Sequence, residues 1–191
     1  MATLDRLSES PYIKILGSEF EAETANIEAS IIEFEPEILL IDGIYLVKES
    51  AMPKASRIER MPFVTSSLKR WGKRYGHRTI VTSQMNRQVN QNDPETVCME
   101  NMSYADSIGQ DADFIVGLRA TKEMKEEKRV EMRSLKTREG EGFRPIDISF
   151  DFVNMQFSEI INGDVIEVSA KKDRRPIAKV EIDEIEDDIP F

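Results

Sequence analysis

The chain has 191 residues, 40% of them hydrophobic and 32% charged, and its formal net charge is −10. This composition predicts a soluble domain that is long enough to bury its own core, and no apolar run approaches the ~20 residues of a membrane span. A single cysteine and a single histidine argue against a disulfide framework and against a histidine-rich metal cluster, and they fit a reducing cytoplasm.

The negative charge is concentrated at the end of the chain. Residues 181–191 hold six of the 36 acids and none of the 26 bases, so residues 1–180 have a net charge of −4. A mildly acidic body can still bind a polynucleotide through a local basic rim, and the overall charge therefore neither establishes nor excludes a nucleic-acid partner.

Helical and strand patterns alternate along the first two thirds of the chain. Continuous apolar runs predict buried parallel strands, and apolar residues spaced by three or four predict helices. In chain order the predicted elements are a strand at Tyr12–Leu16, a helix at Glu19–Phe34, a strand at Ile38–Asp42, a helix at Arg57–Tyr75, a strand at Thr79–Ser83, a long polar loop over 84–102, a helical turn at Ser103–Gln110 and a strand at Ala112–Leu118.

The pattern changes after this third core strand. Short alternating segments at Arg129–Leu135, Ile146–Phe150 and Asn154–Ile160 predict antiparallel strands at a sheet edge. We expect an α/β domain over residues 1–165, a further hairpin or linker over 166–180 that includes Lys171–Arg175, and a disordered acidic tail over 181–191.

Two polar residues follow buried strands at the points where those strands should end. Asp42 follows Ile38-Leu39-Leu40-Ile41, and Gln84 follows the strand that ends near Ser83. Because ligands of open α/β sheets bind at the carboxyl ends of strands, Asp42 and Gln84 are expected on one rim, as a Mg-nucleotide site requires. The chain has no G-x-x-x-x-G-K-S/T phosphate loop.

The order of several segments resembles the C-terminal half of the ATPase domain of DnaB-like replicative helicases. The segments are ILLIDGIYLV, LKRWGKRYGHR, TIVTSQMNR, SIGQDADFIVGLR, VEMRSLKTREGEG and IDISFDFVNMQF. The resemblance implies a RecA-like P-loop-type core with a mostly parallel sheet flanked by helices, antiparallel edge strands at its C-terminal end, and no first strand or phosphate-loop unit. It also implies ATP and Mg²⁺ as cofactors and a hexameric ring around single-stranded DNA in a bacterial or phage-infected cell.

Roles for four residues come with this resemblance. Asp42 resembles the acid that holds Mg²⁺ through its water shell, and Gln84 resembles the amide that senses the γ-phosphate. Lys136 and Arg138 resemble a Lys-x-Arg pair that reaches a neighbouring subunit's γ-phosphate, and residues two apart in a strand face the same way. The plain alternatives are a strand-ending acid, an amide that satisfies loop backbone, and an exposed basic edge.

The long loop opens with the residues that would face the channel of such a ring. Its candidate DNA contacts are Arg87, Gln88, Asn90, Gln91 and Asn92. Arginine and amide groups contact phosphates without reading sequence, which suits a translocating motor. The loop also carries three acids, so we expect weak DNA binding by the chain alone, and a merely solvated loop is the alternative.

Other conspicuous residues receive structural interpretations. Trp71 and Met61 are expected in the core, His77 in a loop or at a strand edge, and Cys98 as an inert thiol. A basic stripe on the long helix is interpreted as a solvated surface. That stripe consists of Lys69, Arg70, Lys73 and Arg74.

The last residues resemble the C-terminal tip of bacterial single-stranded DNA-binding proteins. An acidic stretch there leads to Pro-Phe and a free carboxylate, which dock on replication and repair partners. The six matching residues begin at Glu186, and those proposed to bind partners are Asp187, Asp188, Ile189, Pro190 and Phe191. The resemblance implies recruitment to replisome proteins, although six residues can also match by chance.

Three hypotheses follow for function. The first is part of a helicase motor that couples ATP hydrolysis to movement on single-stranded DNA and needs a separate phosphate-loop segment. Its expected partners are single-stranded DNA and either further copies in a homo-oligomeric ring or a separate chain that carries the phosphate loop. The second is a non-catalytic replisome adaptor that recruits partners through its surface and tail. The third is a fragment of a RecA-like recombination or clock-type ATPase, which the Lys-x-Arg pattern fits less well.

Overall fold

The computed structural model describes residues 12–17, 19–86, 90, 93–151, 156–161 and 164–166. Four α-helices and seven strands lie in these ranges, with short 3-10 turns between them. The helices are α1 (Thr24–Phe34), α2 (Arg57–Tyr75), α3 (Ala105–Asp111) and α4 (Lys122–Glu126). The strands are β1 (Ile38–Ile41), β2 (Arg78–Val81), β3 (Phe114–Arg119), β4 (Arg129–Thr137), β5 (Ile146–Asp151), β6 (Gln156–Ile161) and β7 (Asp164–Ile166).

The strands form two sheets in the described part of the chain. β1 and β2 are parallel, with Ile38 opposite Arg78 and Ile41 opposite Val81. β3 to β7 form a five-stranded sheet in chain order, and every neighbouring pair in it is antiparallel. The predicted α/β class with a parallel sheet and antiparallel C-terminal strands is confirmed. The expectation that the sheet is mostly parallel does not hold for the described residues, because β3 pairs with β4 and joins the antiparallel sheet.

Helix α2 has the strongest local signals in the chain. At its start, the Ser56 hydroxyl accepts a hydrogen bond from the Glu59 N–H, and the Glu59 carboxylate accepts one from the Ser56 N–H, which together form a capping box. At its end, Gly76 adopts a left-handed conformation with φ +76° and returns its N–H to the Gly72 carbonyl. The capping box and the Gly76 turn define the two ends of α2, which explains why its predicted and observed bounds coincide.

One hydrophobic core lies between the helices and the sheets. Its buried members come from α1, the turn after β1, α2, the loop before α3, α3 and β3. They are Ile27, Ile31, Ile44, Val47, Met61, Val64, Leu68, Trp71, Met102, Ile108 and Ile115. The core positions predicted for Met61 and Trp71 are confirmed, since both are almost fully buried. No helix among the described residues is long and apolar enough to cross a bilayer.

Several element predictions require correction. The strand predicted at Tyr12–Leu16 is wrong: residues 12–17 have no strand pairing, and Tyr12 is 88% exposed. A strand needs a partner for its backbone groups, and no strand in the described part of the chain pairs with this segment. The first helix begins at Thr24 and not at Glu19. The single turn of helix α4 was not predicted.

His77 lies in the two-residue connection between α2 and β2, as predicted, and it is buried there, with only 4% of its surface exposed. The predicted Lys171–Arg175 hairpin and the acidic tail lie outside the described residues.

Candidate nucleotide-facing rim

The carboxyl ends of β1 and β2 lie side by side. Because the two strands are parallel and Ile41 is opposite Val81, Asp42 and Thr82 leave the sheet at the same level. The Thr82 hydroxyl donates to Asp42 Oδ1 over 2.6 Å, and the Gly43 N–H donates to the same hydroxyl oxygen over 2.8 Å. This chain of hydrogen bonds fixes the direction of the Asp42 carboxylate while leaving the residue exposed to solvent.

The turn after Asp42 is anchored in the core. Gly43 has φ +88°, a conformation that favours glycine, and an added Cβ would come within 3.2 Å of the Leu46 side chain. The next N–H, that of Ile44, donates to the Thr82 carbonyl over 3.0 Å. Ile44 and Val47 are each 1% exposed, so the turn is held by hydrogen bonds on one side and by packing on the other.

Gln84 contacts this same turn. Its Nε2 donates to the Tyr45 hydroxyl over 3.2 Å, and its backbone carbonyl accepts from the Ser103 N–H over 2.9 Å. Tyr45 is three residues after Asp42, so the structure brings Asp42 and Gln84 to one rim. Both side chains are exposed and could be reached by a ligand.

The donor set at this rim fits a magnesium ion that is shared with a nucleotide. Mg²⁺ keeps several waters and takes one or two protein carboxylates together with substrate phosphates. Asp42 offers one such carboxylate, held by Thr82. Among the described residues, no group of three or more His, Cys, Asp or Glu side chains lies close enough to hold a metal ion without other ligands. The rim therefore suits a tether and not an all-protein metal site.

Lys136 and Arg138 both contact the carboxyl end of α3, at the end of β4. The Lys136 ammonium donates to the Gly109 carbonyl and to the Ala112 carbonyl, the latter over 2.8 Å. The Arg138 guanidinium donates to the Gln110 carbonyl over 2.6 Å. The two side chains thus point to the same side, and they meet the negative end of the helix dipole.

The carboxylate of Asp113 lies close to Lys136 and Arg138. Its carboxylate forms ion pairs with Lys69 and with Arg138, the latter at 3.1 Å. The hydrogen bond from Lys69 is the main reason that the pKa of Asp113 lies below its usual value, and the charges of Arg138 and Lys136 act in the same direction. Within the described chain, no hydrogen bond or ion pair connects Lys136 or Arg138 to Asp42 or Gln84.

The long loop after Gln84 has a well-defined base. Met85 forms an antiparallel bridge with Met102, and the Asn86 N–H donates to the Asn101 carbonyl over 2.7 Å. Of the candidate DNA contacts only Asn90 lies within the described residues, where it is exposed and its carbonyl accepts from the Asp93 N–H. The others, together with the C-terminal tip, lie outside them. These are Arg87, Gln88, Gln91, Asn92, Asp187, Asp188, Ile189, Pro190 and Phe191.

The basic stripe of α2 makes more contacts within the protein than a fully solvated surface would. Besides the Lys69 ion pair, Arg70 donates to the Ser67 hydroxyl over 3.2 Å, and Arg74 lies 5.2 Å from the centre of the Tyr75 ring. These contacts hold Lys69, Arg70 and Arg74 within their own domain and give no indication of a nucleic-acid surface.

Thr82 and Tyr45 are the rim residues that the sequence analysis did not single out. The signal for Thr82 was its position, because a hydroxyl that directly follows one of two parallel strands can reach the acid that follows the other. Tyr45 has no comparable signal, since its hydroxyl reaches Gln84 only through the Gly43 turn.

Comparisons with known proteins agree with the fold. Two similar solved structures are a DnaB-like replicative helicase studied with primase (21% identity, TM-score 0.60) and an ATPase domain (21% identity, TM-score 0.62). The first match covers 68% of this chain and 33% of the solved chain, and the second covers 71% and 50%. This chain thus spans half or less of either solved chain, and at such identity the likeness concerns the fold.

No curated protein gives a significant match. A protein-family model described as the DnaB-like helicase C terminal domain matches residues 6–159, which is most of the sequence. The chain belongs to the family of DnaB-like helicase C-terminal domains.

Proposed function

We propose that this chain is part of a replicative DNA helicase motor that couples ATP hydrolysis to translocation on single-stranded DNA and needs a separate phosphate-loop segment for activity. The observation that carries the proposal is the shared rim of Asp42 and Gln84, fixed by Thr82 and Tyr45. Family membership supports a role related to replicative helicases.

Phosphoryl transfer needs a group that holds Mg²⁺ and a group that contacts the γ-phosphate, and Asp42 and Gln84 would provide these two groups at the rim. Bound ATP would bring the phosphates, and Mg²⁺ would neutralise the charge that develops on them. Asp42 would hold the ion through its water shell. Gln84 would donate its amide to the γ-phosphate, and because its backbone carries the base of the long loop, a change at Gln84 would be transmitted to the segment that we propose contacts DNA.

Lys136 and Arg138 would act on the nucleotide of a neighbouring protomer in a ring. Their present partners are mostly neutral carbonyls, and a phosphate is a stronger hydrogen-bond partner for a cation. Asp113 binds Arg138 through Nε and would keep the guanidinium oriented while the terminal nitrogens turn to the phosphate. Cations supplied in trans can be worth about 10³–10⁵ in rate.

The test is the ATPase rate of this chain reconstituted with the polypeptide that carries the phosphate loop. We expect Asp42→Asn, Lys136→Ala and Arg138→Ala each to abolish single-stranded-DNA-stimulated turnover, with a loss of about 10³-fold for the cations. Lys125→Ala is the matched control, because Lys125 is exposed on α4 and away from both groups.

Mixing variants separates action in trans from action within one chain. Asp42→Asn and Lys136→Ala chains should each be inactive alone, and their mixture should regain part of the turnover because some interfaces combine an intact Asp42 with an intact Lys136. An inactive mixture would remove the trans role, and unchanged turnover of Lys136→Ala alone would remove any role in turnover.

The tail sequence favours a second candidate function. An acidic run followed by Pro190 and Phe191 suits docking into a basic pocket on a replisome protein. If the chain is an adaptor, Phe191→Ala should abolish recruitment of that partner whether or not nucleotide is present. Intact recruitment by Phe191→Ala would eliminate this alternative.

A further inference from the structure

The ring of Tyr45 has a fixed place at the candidate rim. Its Cζ, the ring carbon that carries the hydroxyl, would lie 3.3 Å from a Cβ added at Gly43, so the phenol end of the ring is beside the residue that follows Asp42. Ile44 and Val47, on either side of Tyr45 in the sequence, are buried in the core. The backbone that carries the ring is therefore anchored at both ends.

The first turn of α2 also contacts Tyr45. The guanidinium carbon of Arg57 lies 5.8 Å from the centre of the Tyr45 ring, and Arg60 donates to the Tyr45 carbonyl over 3.2 Å. A cation at this distance is attracted to the face of an aromatic ring and helps to hold it in place. In the described part of the chain, Arg57 is exposed and has no ion pair, so its charge is available to an anion near the rim.

The Tyr45 hydroxyl and the Gln84 amide form a pair of hydrogen-bond donors. Because Gln84 Nε2 donates to the hydroxyl oxygen over 3.2 Å, the hydroxyl accepts this bond and keeps its own proton for another acceptor. The amide likewise keeps its second proton. Among the residues that the structure describes, no acceptor takes either of these protons. Two available donors thus lie side by side at the rim.

We propose that Tyr45 is a further phosphate-binding residue of the rim, whose hydroxyl donates to the terminal phosphate of a nucleoside triphosphate beside the Gln84 amide. The inference rests on the proposed function and extends it, because that function assigns the phosphate contact to Gln84 alone. A phosphate carries several acceptor oxygens, and hydrogen bonds to a charged acceptor are stronger than neutral ones. Neighbouring hydroxyl and amide donors can therefore bind one phosphate at two points.

A purely structural role accounts for the ring of Tyr45 but not for its hydroxyl. The attraction to Arg57 needs only an aromatic face, and the bond from Arg60 needs only the backbone carbonyl. Phenylalanine would keep both contacts. The hydroxyl is the part that these contacts do not use, and it lies beside Gln84 at the rim.

The test measures nucleotide affinity and not turnover. The triphosphate analogue AMP-PNP, which is not hydrolysed, and ADP are each titrated with Mg²⁺ into this chain reconstituted with the polypeptide that carries the phosphate loop, and calorimetry gives the two dissociation constants. We expect Tyr45→Phe to weaken AMP-PNP binding about tenfold, because a hydrogen bond to a charged group is lost. ADP binding should stay nearly unchanged, since ADP has no terminal γ-phosphate.

Tyr75 offers a matched control at the other end of α2. Its hydroxyl donates to Glu28 over 2.8 Å, and Arg74 lies 5.2 Å from the centre of its ring. Tyr75→Phe therefore removes a hydrogen-bonded hydroxyl from a similar arginine–tyrosine pair, and it should bind both nucleotides as the wild type does. An equal loss of AMP-PNP affinity in Tyr75→Phe and Tyr45→Phe would reveal a general effect on stability and would overturn the inference.

A Gln84→Ala background separates direct contact from an effect exerted through Gln84. A hydroxyl that touches the phosphate still contributes when the amide is absent, so adding Tyr45→Phe should weaken AMP-PNP binding further. If the second substitution causes no further loss, Tyr45 only positions Gln84 and the inference is wrong.

A measurement on the free chain keeps this inference separate from the proposed function. The side-chain amide signals of Gln84 in the NMR spectrum should shift in Tyr45→Phe, because the hydrogen bond is lost, and unchanged signals would show that the donor pair does not form. Equal or tighter AMP-PNP binding by Tyr45→Phe would overturn the inference and leave the motor intact. Selective AMP-PNP binding that depends on Tyr45 but supports no turnover would support the inference and remove the motor.

Discussion

Thr82 holds the candidate rim together through a single hydroxyl, which donates to Asp42 and accepts from the Gly43 N–H. We expect Thr82→Val to lower the free energy of unfolding by about 0.5–1.5 kcal/mol, because the carboxylate and the N–H each lose a partner at nearly constant shape. Urea denaturation followed by Trp71 fluorescence measures this change. Thr82→Ser keeps the hydroxyl and should retain most of the stability, and equal losses in the two variants would contradict the hydrogen-bond account.

His77 is buried, and neither ring nitrogen has a hydrogen-bond partner among the described residues. Burial therefore lowers the pKa of His77 below its ordinary value of 6.5. In the unfolded chain the imidazole takes up a proton as the pH falls through about 6.5, and in the folded chain it does so only at lower pH. The unfolded state binds more protons in that interval, so acid destabilises the fold.

The measurement is the thermal midpoint between pH 7.5 and 5.5. We expect the wild-type midpoint to fall with pH over this range and the His77→Gln midpoint to stay nearly level, because carboxylates titrate mainly at lower pH. Parallel curves for the two proteins would show that His77 does not cause the decline.

At single residues, the sequence predicted the positions of some side chains but not the contacts that they make. The common rim of Asp42 and Gln84 followed from two apolar strands with polar ends, and the shared direction of Lys136 and Arg138 followed from their two-residue spacing. Their contacts with the carboxyl end of α3 could not be predicted, because they depend on where β4 crosses that helix. The catalytic roles of all four residues stay predictions.

At the scale of elements, the capping box of α2 is the clearest local determinant. We expect Ser56→Ala to cost about 1 kcal/mol of stability, since it removes the hydroxyl that accepts the Glu59 N–H. Chemical denaturation measures the loss. Ser56→Thr retains the acceptor and serves as the control. A Ser56→Ala protein that is as stable as the wild type would show that water replaces the cap.

The same helix shows why some elements are predictable and others are not. The bounds of α2 are encoded at its own ends by Ser56 and Gly76, and the predicted helix, Arg57–Tyr75, has the observed bounds. Tyr12–Leu16 has an equally plausible strand composition, but a strand is completed by its neighbour and none is present in the described chain. Helix α4 has only five residues, too few for an apolar period to be recognised.

At the scale of the whole molecule, two sheets and three of the helices share one core. Ile115 links them, because it belongs to β3 of the antiparallel sheet and is buried with Trp71 and Ile31. The sequence indicated a third core strand at this position. It could not show that, within the described residues, this strand pairs only with β4, since pairing depends on which neighbours the chain supplies.

This shared core predicts that the described domain unfolds as one cooperative unit. Ile115→Ala should lower the free energy of unfolding by about 2–4 kcal/mol, because it leaves a cavity beneath α2 and α3. Leu118→Ala is the matched control on the same strand: Leu118 is 64% exposed on the opposite face, so we expect a loss below about 0.5 kcal/mol. Trp71 fluorescence reports the helical side of the core, and far-ultraviolet circular dichroism reports both sheets. The two signals should change together in both variants, whereas an Ile115→Ala protein that loses sheet signal before Trp71 responds would show that the sheets unfold separately.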